Sequence, residues 1–96
     1  MIKIEISKDK ITVNGHANYD DFGKDIVCAA VSSTVITTVN GILSIDDSSL
    51  NVKEGDTLVI EILKHNDVID KLINNMISLL EELKKDYKDN IYIRRC

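Results

Sequence analysis

The side chains best suited to chemistry stand close together between Gly15 and Ser32, in the run GHANYDDFGKDIVCAAVS. His16 follows a glycine, Cys28 opens an apolar run, and acids lie between them. A cysteine attacks as its thiolate, and a positive neighbour or a helix N-terminus favours that form. A nucleophile and its base must meet in space, which a flexible loop leading into a helix allows. The same residues support a plainer reading. Cysteine is among the most buried residue types, so Ile26 to Val31 could simply be core. One cysteine and one histidine do not separate the two.

Two further polar residues flank Cys28. Asp25 is three residues before it, a neighbour on a helix. A carboxylate touching the sulfur would disfavour the thiolate, so a helix cap or a partner that orients His16 suits Asp25 better. Ser32, four residues after Cys28, can hydrogen-bond at the site or back to its own helix. The amides of a first helical turn favour an anion by about 0.3–1 kcal/mol. That is worth less than about one pH unit for a thiol, so an imidazolium must supply the rest. His16 is the nearby candidate. Backbone N–H groups around Cys28 are the expected donors to a developing oxyanion.

These residues need a scaffold. Ile2, Ile4 and Ile6 alternate with Lys3, Glu5 and Ser7, the pattern of a half-buried strand. Ile11-Thr12-Val13 reads as its return, closed by Asn14-Gly15. His16 then lies just past a strand end, where loops often carry function. Residues 17 to 23 are polar, and the expectation is a mobile loop that orders over a bound substrate. A helix is expected from Lys24 or Asp25, with Val27, Val31, Val35 and Val39 as its buried stripe and Gly41 as its stop. Cys28 would lie in the first turn, off that stripe. Val31 to Val39 is rich in β-branched residues, so a strand competes with this assignment. Leu50–Glu54 and Thr57–Leu63 flank Gly55-Asp56 as a hairpin, with Leu58, Ile60 and Ile62 on one side. His65 follows as a surface or capping histidine outside the site. Asn66 or Asp67 caps a second helix whose apolar spacing runs from Ile69 to Leu83, with Met76 in the core. Ile91-Tyr92-Ile93 is a short last strand. The order ββα-ββα-β makes an α+β fold, a mostly antiparallel sheet with two helices packed on one face.

Composition narrows the function classes. Ninety-six residues suit one domain, 1–96, small enough that dimerisation would help it. At 44% hydrophobic and 29% charged the balance is that of a soluble globular protein. Apolar segments read as interrupted, so no membrane span is expected. The alternating N-terminus is not a signal peptide, which points to the cytoplasm. A net charge of −4 without a basic patch argues against direct nucleic-acid binding. Lys84-Lys85 and Arg94-Arg95 read as solvated surface. Cys28, Cys96, His16 and His65 lack the spacing of a metal site, and the two thiols are expected reduced.

The wording of the motif goes further than its chemistry. Gly15-His16-Ala17, then Gly23, then Asp25-Ile26-Val27-Cys28-Ala29-Ala30-Val31-Ser32 resembles the signature of the bacterial ribosomal-processing cysteine protease family, Prp. Chain length and element order resemble that family from end to end. The resemblance implies a homodimeric cysteine endopeptidase that removes an N-terminal extension from a large-subunit ribosomal protein, number twenty-seven. It implies Cys28 as nucleophile and His16 as base and acid. Asp25 and Ser32 match positions around the site, Gly15 and Gly23 match loop-shaping positions, and no metal or cofactor is needed. The Arg94-Arg95-Cys96 tail has no placed counterpart. Two other classes stay open: a non-catalytic module that docks on a ribosomal protein, and a redox-sensing thiol protein using Cys28.

Overall fold

The computed structural model describes residues 1–15 and 25–96. Its elements run β1 (Ile2–Ile6), β2 (Lys10–Asn14), α1 (Ile26–Ile45), β3 (Leu50–Lys53), β4 (Thr57–Ile62), α2 (Asp67–Asp86) and β5 (Ile91–Arg95). The expected order ββα-ββα-β is present. The strands form one sheet in the order β3-β4-β2-β1-β5, antiparallel throughout except where β5 runs parallel to β1.

Register puts the apolar strand positions on one face, except Val59 and Tyr92, which stand with Thr12 and Lys3 on the other. Ile4 stands opposite Val13, Ile6 opposite Ile11, Ile11 opposite Ile60, Val52 opposite Ile60, and Ile2 opposite Ile91. Because side chains alternate along a strand, these pairs make one continuous apolar surface. Both helices cover it. Val27, Val31, Val35, Val39 and Ile42 of α1 are buried there, with Ile69, Ile73, Met76, Ile77 and Leu80 of α2. The opposite face is otherwise polar. Asn51 Nδ2 donates to Glu61 across the sheet at 2.9 Å, Lys53 lies 3.3 Å from the same carboxylate, and Arg94 pairs with Glu5 between β5 and β1. Arg95 pairs with Glu81 of α2 at 2.8 Å. The two arginines are therefore exposed but tied down, and both belong to β5, two residues longer than its apolar pattern indicates.

In the β-branched run of α1 two threonine hydroxyls bond back into the helix. Thr34 Oγ1 donates to the Ala30 carbonyl at 2.8 Å and Thr38 Oγ1 to the Thr34 carbonyl at 2.9 Å. Burial of the valine stripe outweighs the weak propensity of those residues. Gly41 does not stop the helix, which continues to Ile45. Ile42 is fully buried one residue later, and its packing carries the helix past the glycine. The helix closes at Asp46, whose amide donates to the Ile42 carbonyl at 2.9 Å. A second expectation is also corrected. α1 has twenty residues and no charged side chain, long and apolar enough to cross a bilayer by length and composition. In this fold one face of it is buried against the sheet and α2, and the rest is exposed.

Ends of the sheet matter for the site. Asp46 and Ser48, after α1, meet Lys64, just past the end of β4: Lys64 Nζ lies 3.2 Å from Asp46 Oδ2 and 2.7 Å from Ser48 Oγ. The buried Ser49 completes this corner, donating to the Asp46 carbonyl and accepting from the Leu63 amide at 2.8 Å. Twenty helical residues span about 30 Å. The first turn of α1 therefore lies at the other end of the sheet, the end at which β2 finishes in Gly15.

Gly41 sits on the exposed face of α1, and nothing lies within 4 Å of a Cβ built on it. Gly41→Ala should stabilise the protein by about 0.5–1 kcal/mol, since alanine loses less backbone entropy in a helix. Thermal unfolding should show a midpoint raised by a few degrees. A lowered midpoint would mean that the helix needs its glycine.

Candidate active site

Cys28 occupies the first turn of α1 because Asp25 starts the helix in front of it. Asp25 has an extended backbone (φ −74°, ψ 104°), and its Oδ1 accepts from the Val27 amide at 2.9 Å and the Cys28 amide at 3.0 Å. Of the roles open to Asp25 in the sequence, capping is thus a role it performs. The Ala29 amide donates to the Asp25 carbonyl at 3.1 Å. Three first-turn amides are therefore engaged. The Cys28 amide, one of the expected oxyanion donors, is thus held by Asp25, and an anion arriving there must compete for it. An N-cap aspartate is itself the sequence signal for this, because capping acids accept from the second and third helical amides.

The thiol is half-buried and packs against the core cluster. Cys28 is thus closer to the buried stripe than its spacing from Val27 suggests, with a supporting wall behind the sulfur. Ser32, one turn on, is exposed. Gly15 ends β2 with φ at +91°, a conformation that side chains other than glycine rarely adopt. A methyl group there would also collide with the Met1 carbonyl oxygen, so Gly15 is fixed by two independent demands. His16 and Gly23 lie outside the described residues, as does the loop expected at 17–23.

Neither cysteine forms a disulfide. Cys96 is exposed at the far end of the sheet, where its amide donates to the Ile6 carbonyl at 2.7 Å. An internal Cys28–Cys96 bridge, the bond a redox sensor would use, has no route in this fold because the two residues occupy opposite ends. Among the described residues no group of three or more His, Cys, Asp or Glu side chains could hold a metal ion.

A half-buried thiol on a capped helix N-terminus, behind a strand that ends in an obligatory glycine, is a scaffold on which a cysteine nucleophile can work. The model of the family described as cysteine protease Prp matches residues 1–92. This chain belongs to that family. It is 33% identical over 89 residues to the ribosomal processing cysteine protease Prp of Bacillus subtilis (strain 168), covering 84% of this chain and 80% of the relative. To the Staphylococcus aureus (strain Mu50) protein of the same name it is 26% identical over 101 residues, covering 95% of each. The fold matches the crystal structure of the S. aureus Prp protease, solved with a covalently linked product peptide, with a TM-score of 0.94 and 24% identity over 100% of both chains. The chain is thus related to cysteine proteases, and its sheet and two helices are the Prp fold.

Two substitutions test the scaffold. Asp25→Ala should cost about 1 kcal/mol through loss of the cap, whereas Asp25→Asn, which keeps an accepting oxygen, should cost much less. Gly15→Ala should cost about 1–3 kcal/mol, combining left-handed backbone strain with the collision at Met1. Urea unfolding would measure both. Equal stability of Asp25→Ala and Asp25→Asn would remove the cap from the account.

Proposed function

We propose that residues 1–96 form one cysteine endopeptidase domain in which Cys28 is the nucleophile and His16 its base and acid. The substrate would be the precursor of large-subunit ribosomal protein twenty-seven, from which the enzyme removes an N-terminal extension during ribosome assembly. The observation that carries this reading is the family match over residues 1–92, combined with the position of Cys28 in the first turn of α1. The relatives' common name, ribosomal processing protease, supports the substrate class.

The chemistry is acyl transfer in two steps. His16 takes the thiol proton, and the Cys28 sulfur forms a bond to the scissile carbonyl carbon. The tetrahedral intermediate collapses as the C–N bond breaks, with the same proton passing from His16 to the leaving amine. Water, deprotonated by His16, then attacks the thioester, releasing the acid product and the thiol. No metal or organic cofactor enters.

Asp25 has a double part in this scheme. Its cap holds the first turn and therefore the sulfur, but the amides it holds are donors that a developing oxyanion could use. Binding of the substrate carbonyl would compete with Asp25 for the Cys28 amide. Ser32, exposed one turn along the same helix, would contact substrate. Gly15 and Gly23 would be the backbone positions that let His16 reach Cys28. The enzyme works in the cytoplasm as a homodimer, and its contact with the ribosomal precursor is through the peptide rather than through nucleic acid.

A peptide spanning the extension and its junction, incubated with the wild type, Cys28→Ala and His16→Ala, tests this with products read by mass spectrometry. The wild type should make one cut, and each variant should lose at least about a thousandfold in rate. Binding without cleavage by reduced wild type would instead identify a non-catalytic docking module.

A further inference from the structure

A cleft of about 450 Å³ opens at the end of the sheet remote from Cys28, between the β1–β2 turn, α2 and the end of β5. Its floor is apolar, with Ile6, Ile62 and Ile73, and His65 stands in its wall. The side chain of His65 is 35% exposed and bridges two elements that no strand pairing joins. Its Nε2 lies 2.7 Å from Asp9 Oδ1 in the β1–β2 turn, and its Nδ1 lies 2.8 Å from Asp70 Oδ1 in the first turn of α2.

We propose that His65 is a proton-operated clamp that ties the β1–β2 turn to α2 when protonated and releases one of them when neutral. The argument is one of valence. An ionised carboxylate only accepts hydrogen bonds, and a neutral imidazole has a single N–H to give. Both bonds coexist only in the imidazolium, which donates from both nitrogens. Loss of the proton turns one contact into a lone pair facing a carboxylate, and that contact must open. The two partners differ in how firmly they are held. Asp70 sits in a capped helix, with its amide bonded to the Asn66 carbonyl at 2.9 Å. Asp9 is in a turn whose attachment to β4 is the bond from the Ile62 amide to its carbonyl at 2.8 Å. The turn is the part that yields, and it forms one wall of the cleft, so the width of the cleft follows the proton.

The surrounding charges leave this device intact. Lys8 of the turn and Arg95 of β5 line the same cleft, as does Cys96. Arg95 is committed to Glu81, and Lys64, next to His65 in the chain, is committed to Asp46. Asp67 is the other acid of the first turn of α2. Hydrogen bonds to Asp70 and then Asp9 hold the imidazole pKa above its ordinary value of 6.5. Because the folded value is raised, this contribution to stability is complete below the unfolded value and is lost as pH rises through the folded one.

An NMR titration of the full chain tests the clamp, with the His65 ring assigned by comparison with His65→Gln. The ring should titrate above 6.5, and the amides of residues 8–10 and 67–70 should shift with the same midpoint. Asp9→Asn and Asp70→Asn should each lower that midpoint, and His65→Gln should silence the amide titration. The thermal midpoint of the wild type, relative to His65→Gln, should fall as pH rises past the titration. A ring that titrates at or below 6.5 would overturn the clamp, as would amides that stay still while it titrates. A midpoint sensitive to only one of the two aspartates would reduce the clamp to a simple pair and overturn it equally.

Discussion

The direction in which Cys28 faces depends on the burial of one stripe of α1. Val27, Val31, Val35, Val39 and Ile42 are all buried in the core formed with the sheet and α2. Each fully buried valine or isoleucine contributes about 1.5–3 kcal/mol relative to exposure, so the helix has one rotation about its axis that is far better than any other. That rotation decides where Cys28 points. One residue beyond Val27, it falls at the border of the stripe, packed on the core behind and reachable in front. Rotating the helix by one residue would either bury the sulfur fully or expose it to solvent. Cys28 is thus positioned by hydrophobic packing over its whole helix together with the Asp25 cap in front of it.

This dependence also explains what could be read in the sequence. Strand alternation in Ile2–Ile6 and Leu58–Ile62, and the apolar spacing of Ile69–Leu83, are signals of period two and 3.6 that survive in the fold. The stripe of α1 was legible for the same reason. Its end was not, because a glycine inside a helix costs only about 1 kcal/mol. The burial of Ile42 outweighs that cost, and burial at long range is invisible in a local window. The rotation of Cys28 toward the core is a similar case, since its partners come from elsewhere in the chain. Asp25 was readable as a cap. That its cap occupies the amide of Cys28 itself follows from the three-residue spacing, and only the geometry weighs that against the chemistry. The family signature carried more than spacing could: Cys28 and His16 are distinguished from an ordinary core cysteine and loop histidine by resemblance, not by periodicity.

The pairing of β5 with β1 shows a different limit. Ile91-Tyr92-Ile93 is too short to say which edge it joins or in which direction. The connection decides it: β4 and β5 are joined through α2, and a helix of twenty residues returns the chain to the end of the sheet from which β4 set out. β5 must therefore run parallel to β4, hence parallel to β1. Arg94, which reads as plain surface, then falls opposite Glu5, and Arg95 comes within reach of Glu81 on α2. Their ion pairs are exposed and individually weak, so they follow from the topology more than they cause it.

The same topology divides the molecule by its ends. Strand β2 and helix α1 bring Gly15, Asp25 and Cys28 to one end, and β1, β4 and β5 finish at the other around His65. The constraints at the two ends differ in kind. At the Cys28 end they are chiefly steric: a left-handed glycine that cannot take a methyl group and a wall of core side chains, beside the hydrogen-bonded Asp25 cap. Around His65 they are electrostatic and reversible, with two carboxylates held by one titratable ring. The nucleophilic role proposed for Cys28 needs a fixed geometry, because a misplacement of about 1 Å can cost a hundredfold in rate. Between the two ends stand the sheet and the full length of α1, whose packing does not depend on pH. A change of protonation at His65 can therefore loosen its own turn while the first turn of α1 keeps its place.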